Sequence, residues 1–385
     1  MTIANFTSTK AYSTFFSIVA LVLTISCNNS GSGVAGVDST DGSKNAANMD
    51  SSGAKSVKPN GPKPDWAPGI HPEMQAVIEN LVSYNAPAIE SLSAADARKN
   101  PTPATAVMDL IKENNIAVSL PEVDTVGKNI PVSGGTVHVR IYTPRATMTS
   151  YPIILYIHGG GWVIADINTY DASAASMAEQ TKSVVVSVNY RQGPEFKFPT
   201  AHNDCFAAYE WMLKNAAALK GDTSKVGLLG ESAGGNLAAN VAIMARDKHI
   251  KTPLAEVLVY PIAQSDMEAP AYIQNAMAKP LNKAMMAWFY KNYLPSQSAV
   301  KDPRIDLTKA DLKGLPPTTI ITAQYDPLQS DGQMLRDKMK AEGIDVTYKD
   351  YDGVTHEFFG MAAIVPEAKQ AQAFAAGQLN KAFGK

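Results

Sequence analysis

Residues 226–235, with the sequence VGLLGESAGG, contain the pattern that decides the fold. A short run of buried-type residues at 226–229 predicts a strand, and apolar residues at helical spacing from Ala233 to about Arg246 predict a helix. Between them lies G-x-S-x-G, with Ser232 at its centre. A serine in a sharp turn from strand to helix projects its hydroxyl away from the sheet, and flanking glycines let strand and helix approach closely. We therefore interpret Ser232 as a candidate nucleophile; the alternative is a glycine-rich structural turn.

Segments of two kinds alternate along the rest of the chain. Short apolar runs predict strands at 137–142, 151–158, 184–189, 254–260, 318–322 and 346–351. Apolar residues at helical spacing predict helices at 71–84, 105–114, 169–181, 201–215, 281–294, 330–342 and 366–383. Strands that alternate with helices of about 10–15 residues indicate βαβ units, and hence an α/β fold with a mostly parallel central sheet flanked by helices.

The composition is that of a globular protein. Of the 385 residues, 45% are hydrophobic and 18% are charged, and the formal net charge is −2. The sequence shows no clustered excess of Lys and Arg of the kind that nucleic-acid binding requires, so we expect no nucleic-acid partner. The two cysteines, Cys27 and Cys205, are too few for a disulfide framework or a Cys-rich metal site, and we expect Cys205 to be a buried apolar residue.

The first 27 residues resemble a bacterial lipoprotein signal. Residues 15–25, FFSIVALVLTI, form an apolar run that is much shorter than the about 20 residues of a membrane-spanning helix. Ser26 and Cys27 follow it as a small residue and a cysteine, the pair at which such signals are cleaved and lipidated, although Thr24 stands where leucine is usual. We predict lipidation of Cys27; the alternative is an ordinary cleaved secretory signal with an incidental cysteine.

The composition changes after this signal. Residues 28–65 are rich in Gly, Ser, Asn and Lys and cannot bury enough apolar surface to offset the entropy of ordering. We predict a flexible tether at 28–65 and a folded domain at 66–385. With the signal, this predicts an extracytoplasmic protein that contacts a membrane only through its lipid, on the periplasmic side or the cell surface, or a secreted protein if Cys27 is not lipidated.

A glycine-rich loop follows the strand predicted at 151–158. Its sequence is HGGGW, from His158 to Trp162. The loop lacks a following lysine and does not match G-x-G-x-x-G, which argues against phosphate binding, and the remaining alternative is a flexible connection. The backbone amides of this loop, in which Gly159 follows His158, carry no side chains and could instead point at a developing oxyanion, with His158 as an anchoring hydrogen-bonder rather than a base.

A serine nucleophile needs a base and an acid that orients it. When the chain order is serine, acid, histidine, only His249 and His356 remain as candidate bases after Ser232. His249 falls at the end of the helix that follows the nucleophile, whereas His356 follows the strand predicted at 346–351 by a short turn. Asp326 comes just after the strand at 318–322 and is the candidate acid; the nearest competitor, Asp331, is better placed as a carboxylate at a helix N-terminus.

These motifs together resemble the bacterial hormone-sensitive-lipase-like carboxylesterases, an α/β-hydrolase family. The resemblance runs from about residue 70 to the end of the chain. Its motifs are HGGGW at 158–162, NYR at 189–191, Pro194-Glu195, Phe198-Pro199, GESAGG at 230–235, YP at 260–261, DPL at 326–328, and His356 with Phe358. This sequence departs from the family at Gln192-Gly193, where Leu-Ala is usual, and at Glu357, where glycine is common. Glu357 adds a charge beside the base.

The resemblance implies a serine hydrolase that acts on small-molecule esters through an acyl-serine, with no metal and no organic cofactor. Ser232 would attack, His356 would be the base and Asp326 would hold it. The resemblance also implies an oxyanion hole made by the amides of Gly160, Gly161 and Ala233. Two alternatives remain open: a deacetylase or amidase acting on acetylated sugars or small molecules, and a non-catalytic surface binding protein on a hydrolase scaffold.

The resemblance also implies a helical cap that covers the site, from about 66–120 and 263–310. On the helix predicted at 281–294, Met285, Trp288 and Phe289 are candidate pocket residues, and Trp162 beside the glycine loop is another. The alternative for each is that it only packs the cap onto the core. An apolar wall of this kind would favour short- to medium-chain acyl groups.

Overall fold

The computed structural model describes residues 57–385. The predicted signal at 1–27, with Cys27, and the predicted tether up to residue 56 lie outside the described residues. Within 57–385 the chain forms one sheet of eight strands. The strands are β1 (Val123–Val132), β2 (Gly135–Pro144), β3 (Tyr151–Ile157), β4 (Val184–Asn189), β5 (Gly221–Glu231), β6 (Ala255–Val259), β7 (Thr318–Tyr325) and β8 (Val346–Thr355).

The sheet is mostly parallel, as predicted. Its order is β1-β2-β4-β3-β5-β6-β7-β8; β1 and β2 pair antiparallel with each other, β2 pairs antiparallel with β4, and all other neighbours are parallel. Parallel strands end at the same edge of the sheet, where ligand sites of open α/β sheets lie. The residues that follow β3, β5, β7 and β8 therefore come together at one edge.

Ten α-helices connect or flank the strands in the described part of the chain. They are α1 (Pro72–Ser83), α2 (Ala94–Ala97), α3 (Pro103–Glu113), α4 (Asp171–Thr181), α5 (Thr200–Lys214), α6 (Ala233–Asp247), α7 (Pro270–Gln274), α8 (Lys283–Tyr293), α9 (Gln329–Ala341) and α10 (Pro366–Ala382). Within residues 57–385 no helix is both long and apolar enough to cross a bilayer.

Helices cover both faces of the sheet, so its central strands are buried on both sides. β3 is buried along its whole length, with Leu155 in the cluster that includes α5, α6 and α9, and Tyr156 in the cluster that includes α1, α4 and α10. Because successive side chains of a strand point to opposite faces, a strand between two helical layers is apolar throughout. That is why β3 is readable as a continuous apolar run.

The structure adds one strand that the sequence analysis missed. β1 is an edge strand whose residues are mostly exposed, and it pairs only with β2. An exposed edge strand needs no apolar alternation, and Gly127 and Pro131 interrupt its pattern further. It therefore carries little of the signal on which strand prediction depends.

The folded part also begins earlier than residue 66, which corrects the predicted tether boundary. Val57 is 5% exposed. The backbone amides of Asn60 and Gly61 donate to the Glu79 carboxylate, and the Gln75 side chain donates to the Gly61 carbonyl. Residues 57–65 thus pack on α1 through polar contacts, which a composition argument based on apolar content does not detect.

The turn between β5 and α6 has a geometry that requires glycines on both sides of Ser232. Ser232 adopts φ 57° and ψ −119°, a conformation that side-chain-bearing residues rarely adopt. A Cβ atom at Gly230 would lie 2.0 Å from the Gly234 carbonyl oxygen, and one at Gly234 would lie 2.0 Å from the Ile157 carbonyl oxygen. The two glycines therefore let β5 turn directly into α6 beside the end of β3.

We expect Gly234→Ala to lower the free energy of unfolding by about 3 kcal/mol, because backbone atoms must move to accommodate the added methyl. Gly377→Ala is the matched control: Gly377 is an exposed residue of α10 with nothing within 4 Å of the added Cβ. That variant should gain about 0.5–1 kcal/mol from helix propensity. Urea unfolding followed by circular dichroism measures both, and equal stability of the two variants would contradict the packing argument.

Candidate active site

The three side chains predicted to act together meet at the carboxyl edge of the sheet. His356 Nε2 lies 3.0 Å from Ser232 Oγ, and His356 Nδ1 lies 2.6 Å from Asp326 Oδ2. Ser232 follows β5, Asp326 follows β7 and His356 follows β8. A carboxylate only accepts hydrogen bonds, so Nδ1 carries the proton and Nε2 of the neutral ring is left to accept from the serine hydroxyl. The three side chains are thus ordered for proton transfer from Ser232 to His356.

Asp326 is held in place by its own contacts. Its side chain is fully buried, and Oδ1 accepts from the Leu328 amide at 2.8 Å. The Asn275 side chain donates to the Asp326 carbonyl oxygen at 3.0 Å. These bonds fix the carboxylate so that Oδ2 faces the imidazole.

The competing acid, Asp331, has a different role. It lies in the first turn of α9 and accepts hydrogen bonds from the amides of Ala263 and Gln264 and from the Gln264 side chain. Asp331 forms neither a hydrogen bond nor an ion pair with His356. Asp331 therefore connects α9 with the segment that follows β6. This agrees with the prediction that it is a carboxylate at a helix N-terminus.

Backbone amides without protein acceptors lie beside Ser232. Within residues 57–385 the amides of Gly160 and Gly161 donate no hydrogen bond, and both residues line the cavity that contains Ser232. Ala233 is the first residue of α6, where an amide has no acceptor within its helix and the helix dipole is positive. Such amides can stabilise a negative oxygen on an atom bound to Ser232 Oγ.

His158 anchors the glycine loop, as its sequence position suggested. Its ring is fully buried and stacks on Tyr190 at 4.3 Å between ring centroids, with Nδ1 2.9 Å from the Gly159 carbonyl oxygen. The Tyr190 hydroxyl donates to the carbonyl oxygens of His158 and Gly159. These bonds satisfy the carbonyl oxygens of His158 and Gly159 and fix the direction of the loop backbone. Burial lowers the pKa of His158 to about 4, so its ring is neutral.

A buried carboxylate beneath the nucleophile was missed by the sequence analysis. Glu231 accepts hydrogen bonds from the hydroxyls of Tyr156 and Tyr260, and the Tyr260 ring lies 4.5 Å from the His356 ring. Burial, and then the charge of Glu357, raise the pKa of Glu231 to about 7. The sequence carries a signal for this pair, because Glu231 ends β5 and Tyr260 follows β6, at the edge of the sheet where functional residues lie.

Opposing effects set the pKa of His356. Burial alone would lower the pKa, but the charge and hydrogen bond of Asp326 outweigh it, and Glu357 and Glu231 add to the attraction for a proton. The pKa of His356 is therefore raised above its ordinary value of 6.5. A base of this kind is better able to accept the serine proton.

Ser232 opens into a cavity of about 840 Å³. Both predicted cap segments border it. Its wall contains Met285 and Phe289, two of the predicted pocket residues, together with Met286 and Ile262.

Two of the predicted pocket residues are not part of this wall, which corrects the prediction for Trp162 and Trp288. Trp162 is fully buried and stacks on Tyr293 with 5.0 Å between ring centroids. Trp288 lies on the buried side of α8, where its indole N–H donates to the Leu92 carbonyl oxygen at 3.1 Å. Trp162 thus packs the glycine loop against α8, and Trp288 joins α8 to the N-terminal cap segment, while their chain neighbours Gly161 and Phe289 line the cavity.

In chemical terms, the site combines an activated hydroxyl with amide donors for an anion. This combination suits nucleophilic attack on a carbonyl carbon. Among residues 57–385, no three His, Cys, Asp or Glu side chains are grouped so that they could hold a metal ion. Cys205 is fully buried, as expected, and burial raises the pKa of its thiol.

Known proteins are similar to this chain in sequence and fold. The model of a family described as alpha/beta hydrolase fold matches residues 154–360. Carboxylesterase NlhH of Mycobacterium tuberculosis is 34% identical over 269 residues, which are 69% of this chain and 84% of that protein. The solved structure of an esterase from the archaeon Pyrobaculum calidifontis has a TM-score of 0.70 at 31% identity, covering 79% of this chain and 97% of that one. The solved structure of EstE1, a thermostable carboxylesterase from a metagenomic library, has a TM-score of 0.70 at 34% identity, covering 76% and 98%.

The contrast between the buried histidines can be tested by titration. His202, on α5, is also buried. We expect a pKa above 6.5 for His356 and a pKa of about 4 for both His158 and His202, because burial outweighs the smaller effects of nearby charges and hydrogen bonds on the last two and keeps them neutral. NMR of ¹⁵N-histidine-labelled protein measures all three. Asp326→Asn should lower the pKa of His356, since burial remains and the main counter-charge is gone. A wild-type His356 that titrates at or below 6.5 would contradict this account.

Proposed function

The chain belongs to the α/β-hydrolase fold family as a hormone-sensitive-lipase-like carboxylesterase, and from this we propose that Ser232, His356 and Asp326 perform its hydrolysis of short- to medium-chain esters. The observation that carries the proposal is a pair of hydrogen bonds, one between Ser232 Oγ and His356 Nε2 and one between His356 Nδ1 and Asp326 Oδ2. Ser232 and His356 line the same cavity as Gly160 and Gly161. The remaining residues act by placing and stabilising charge around these three side chains.

Acylation begins when Ser232 Oγ attacks the ester carbonyl carbon and His356 Nε2 takes the hydroxyl proton. The carbonyl oxygen becomes an oxyanion, which the amides of Gly160, Gly161 and Ala233 stabilise; one such donor contributes about 3–4 kcal/mol in acyl transfer. Asp326 stabilises the imidazolium that forms and keeps Nδ1 protonated throughout.

Collapse of this intermediate breaks the bond between the carbonyl carbon and the alcohol oxygen. His356 Nε2 donates its proton to that oxygen, the alcohol leaves and the acyl group stays on Ser232. Water then enters, His356 takes one of its protons, and the hydroxide attacks the acyl-serine. The carboxylic acid is released and Ser232 recovers its proton from His356.

The apolar part of the cavity supports a preference in acyl length. The Phe289 ring packs against Gly161, where an added Cβ would lie 2.2 Å from the ring. Phe289 therefore closes the wall next to the amides that would hold the carbonyl oxygen, with Met285 and Met286 beside it. Such a wall accommodates short or medium chains and obstructs long ones at this end of the cavity.

We expect wild-type enzyme to hydrolyse p-nitrophenyl esters with an optimum at short or medium acyl chains. Ser232→Ala should lower kcat by about 10⁴-fold or more with an unchanged circular dichroism spectrum, because the nucleophile is lost and the fold is not. Phe289→Ala should move the optimum to longer chains, because it removes the wall beside Gly161. An unchanged optimum in a folded Phe289→Ala protein would contradict this placement of the acyl chain, and a fully active Ser232→Ala protein would overturn the mechanism.

We also propose that the protein is exported and anchored by a lipid on Cys27, in the periplasm or at the cell surface. The apolar run at 15–25 and the pair Ser26-Cys27 support this proposal. The membrane contact would be made by the lipid, with the folded domain held at the end of the segment that follows Cys27.

Cys27→Ala should move the protein from the membrane fraction to a soluble extracytoplasmic fraction and abolish incorporation of labelled palmitate, because it removes the lipidated thiol. Cys205→Ala is the matched control: its thiol is buried in the folded domain, so labelling should be unaffected. Labelled palmitate on the Cys27→Ala protein would show that the lipid, if any, is elsewhere.

A further inference from the structure

Glu357 places a carboxylate at the reacting end of the cavity. It follows His356 directly in a left-handed conformation, with φ 68°. Its side chain is 19% exposed and lines the same cavity as Ser232 and His356, and its Oε1 atom lies 3.9 Å from His356 Nε2. The carboxylate thus lies within 4 Å of the nitrogen that exchanges protons with the substrate.

One oxygen of this carboxylate is held by the protein and the other is open. The Tyr170 hydroxyl donates to Glu357 Oε1 at 2.5 Å. The Tyr170 ring in turn lies 5.9 Å from the His158 ring, and its hydroxyl lies against Gly159 of the glycine loop. Within residues 57–385, Glu357 Oε2 has no hydrogen-bond partner. The side chain is therefore fixed by one oxygen while the other can accept a bond or a charge from a bound molecule.

The chemistry of ester cleavage tells which part of a substrate meets this carboxylate. His356 Nε2 must protonate the alcohol oxygen as it leaves, so that oxygen lies at hydrogen-bond distance from Nε2. The rest of the alcohol then extends from a point close to Glu357. The acyl group, in contrast, is held at Ser232 and the amides of the glycine loop.

The other charges of the cavity do not cancel that of Glu357. Glu90 and Asp166 also line the wall and are negative, and neither approaches a nitrogen of His356 within 4 Å. Among residues 57–385, the wall has two cationic side chains, Arg98 and Lys279. Arg98 is paired with Glu195 at 2.7 Å, so of these two cations Lys279 is the one set against the three carboxylates. Burial raises the pKa of Glu357, while the charge of His356 and the Tyr170 hydrogen bond oppose that rise. At alkaline pH the leaving-group side of the site is therefore negative.

We infer that Glu357 selects the alcohol part of the substrate, so that the enzyme prefers esters of cationic alcohols and disfavours esters of anionic ones. The inference rests on the proposed function, because it assigns the leaving-group side from the protonation step by His356. A partly buried carboxylate within a few ångströms of a substrate charge is weakly screened, so its effect on binding and turnover is large compared with that of a surface charge.

The test compares three acetate esters at pH 8.5: choline acetate, its uncharged isostere 3,3-dimethylbutyl acetate, and 3-acetoxypropanoate. We expect wild-type kcat/KM for the cationic ester to exceed that for the neutral isostere by about tenfold, which corresponds to about 1.4 kcal/mol, and the anionic ester to be the poorest. Glu357→Gln keeps the size and the acceptor for Tyr170 but removes the charge. It should bring the cationic-to-neutral ratio close to one and improve the anionic ester relative to the neutral one.

Two variants separate charge from structure. Tyr170→Phe removes the hydrogen bond that fixes the side chain and keeps the charge, so the cationic-to-neutral ratio should stay well above one. Glu90→Gln removes a different carboxylate of the same cavity and should retain the wild-type ratio. A purely structural role of Glu357 would change all three esters alike and leave the ratios intact, which would overturn the inference.

Other outcomes distinguish failure of the inference from failure of the proposed function on which it rests. Hydrolysis of the neutral ester with no charge preference in the wild type would refute the inference and leave the esterase mechanism standing. A loss of preference in Glu90→Gln equal to that in Glu357→Gln would also refute it, because selection would then follow the total charge of the cavity. Failure of the wild type to hydrolyse any of the esters would overturn the proposed function and the inference with it.

Discussion

The backbone of Ser232, at φ 57° and ψ −119°, is held by hydrogen bonds from three directions, and the rest of the site is arranged around it. Its amide donates to the Val259 carbonyl oxygen, and its own carbonyl oxygen accepts from the amides of Gly235 and Ile262. A backbone conformation of this kind costs about 1–3 kcal/mol and persists only where the surroundings over-determine it. β5, β6 and α6 supply those surroundings, so the strain is offset by the packing of the central sheet rather than by the active site itself.

The charges around His356 are a second set of interactions, and their positions depend on the backbone arrangement at Ser232. Asp326 stabilises the protonated ring, whereas Glu231 and Glu357 lie nearby in a region that burial makes unfavourable for carboxylates. Tyrosine hydroxyls donate to both of these glutamates, which offsets part of their desolvation. The base therefore works among several partly satisfied acids, and small changes in any of them alter its affinity for a proton.

The cap and the segment that follows the glycine loop are joined by hydrogen bonds, so the cavity wall and the amides of Gly160 and Gly161 are held together. Arg98, in the segment that carries α2, donates to the carbonyl oxygens of Val163 and Gly193 and pairs with Glu195. Trp288 of α8 donates to Leu92 in the same segment. The cap residues of the cavity wall and the amides of the glycine loop are thus positioned by shared contacts.

The sequence by itself determined the α/β class and the mostly parallel sheet, and it identified Ser232, Asp326 and His356 as candidates that meet at one edge. Each of these depends on local signals: an apolar strand, the glycines of a turn, and a polar residue just after a strand. The tertiary structure alone decided the exposed strand β1, the start of the folded part before residue 66, and the exclusion of Trp162 and Trp288 from the cavity wall. It also decided the pairing of Tyr170 with Glu357, which are 187 residues apart. The physical reason is that local patterns report how a segment folds and which edge of the sheet it reaches, whereas the direction and partner of each side chain are set by packing between distant segments.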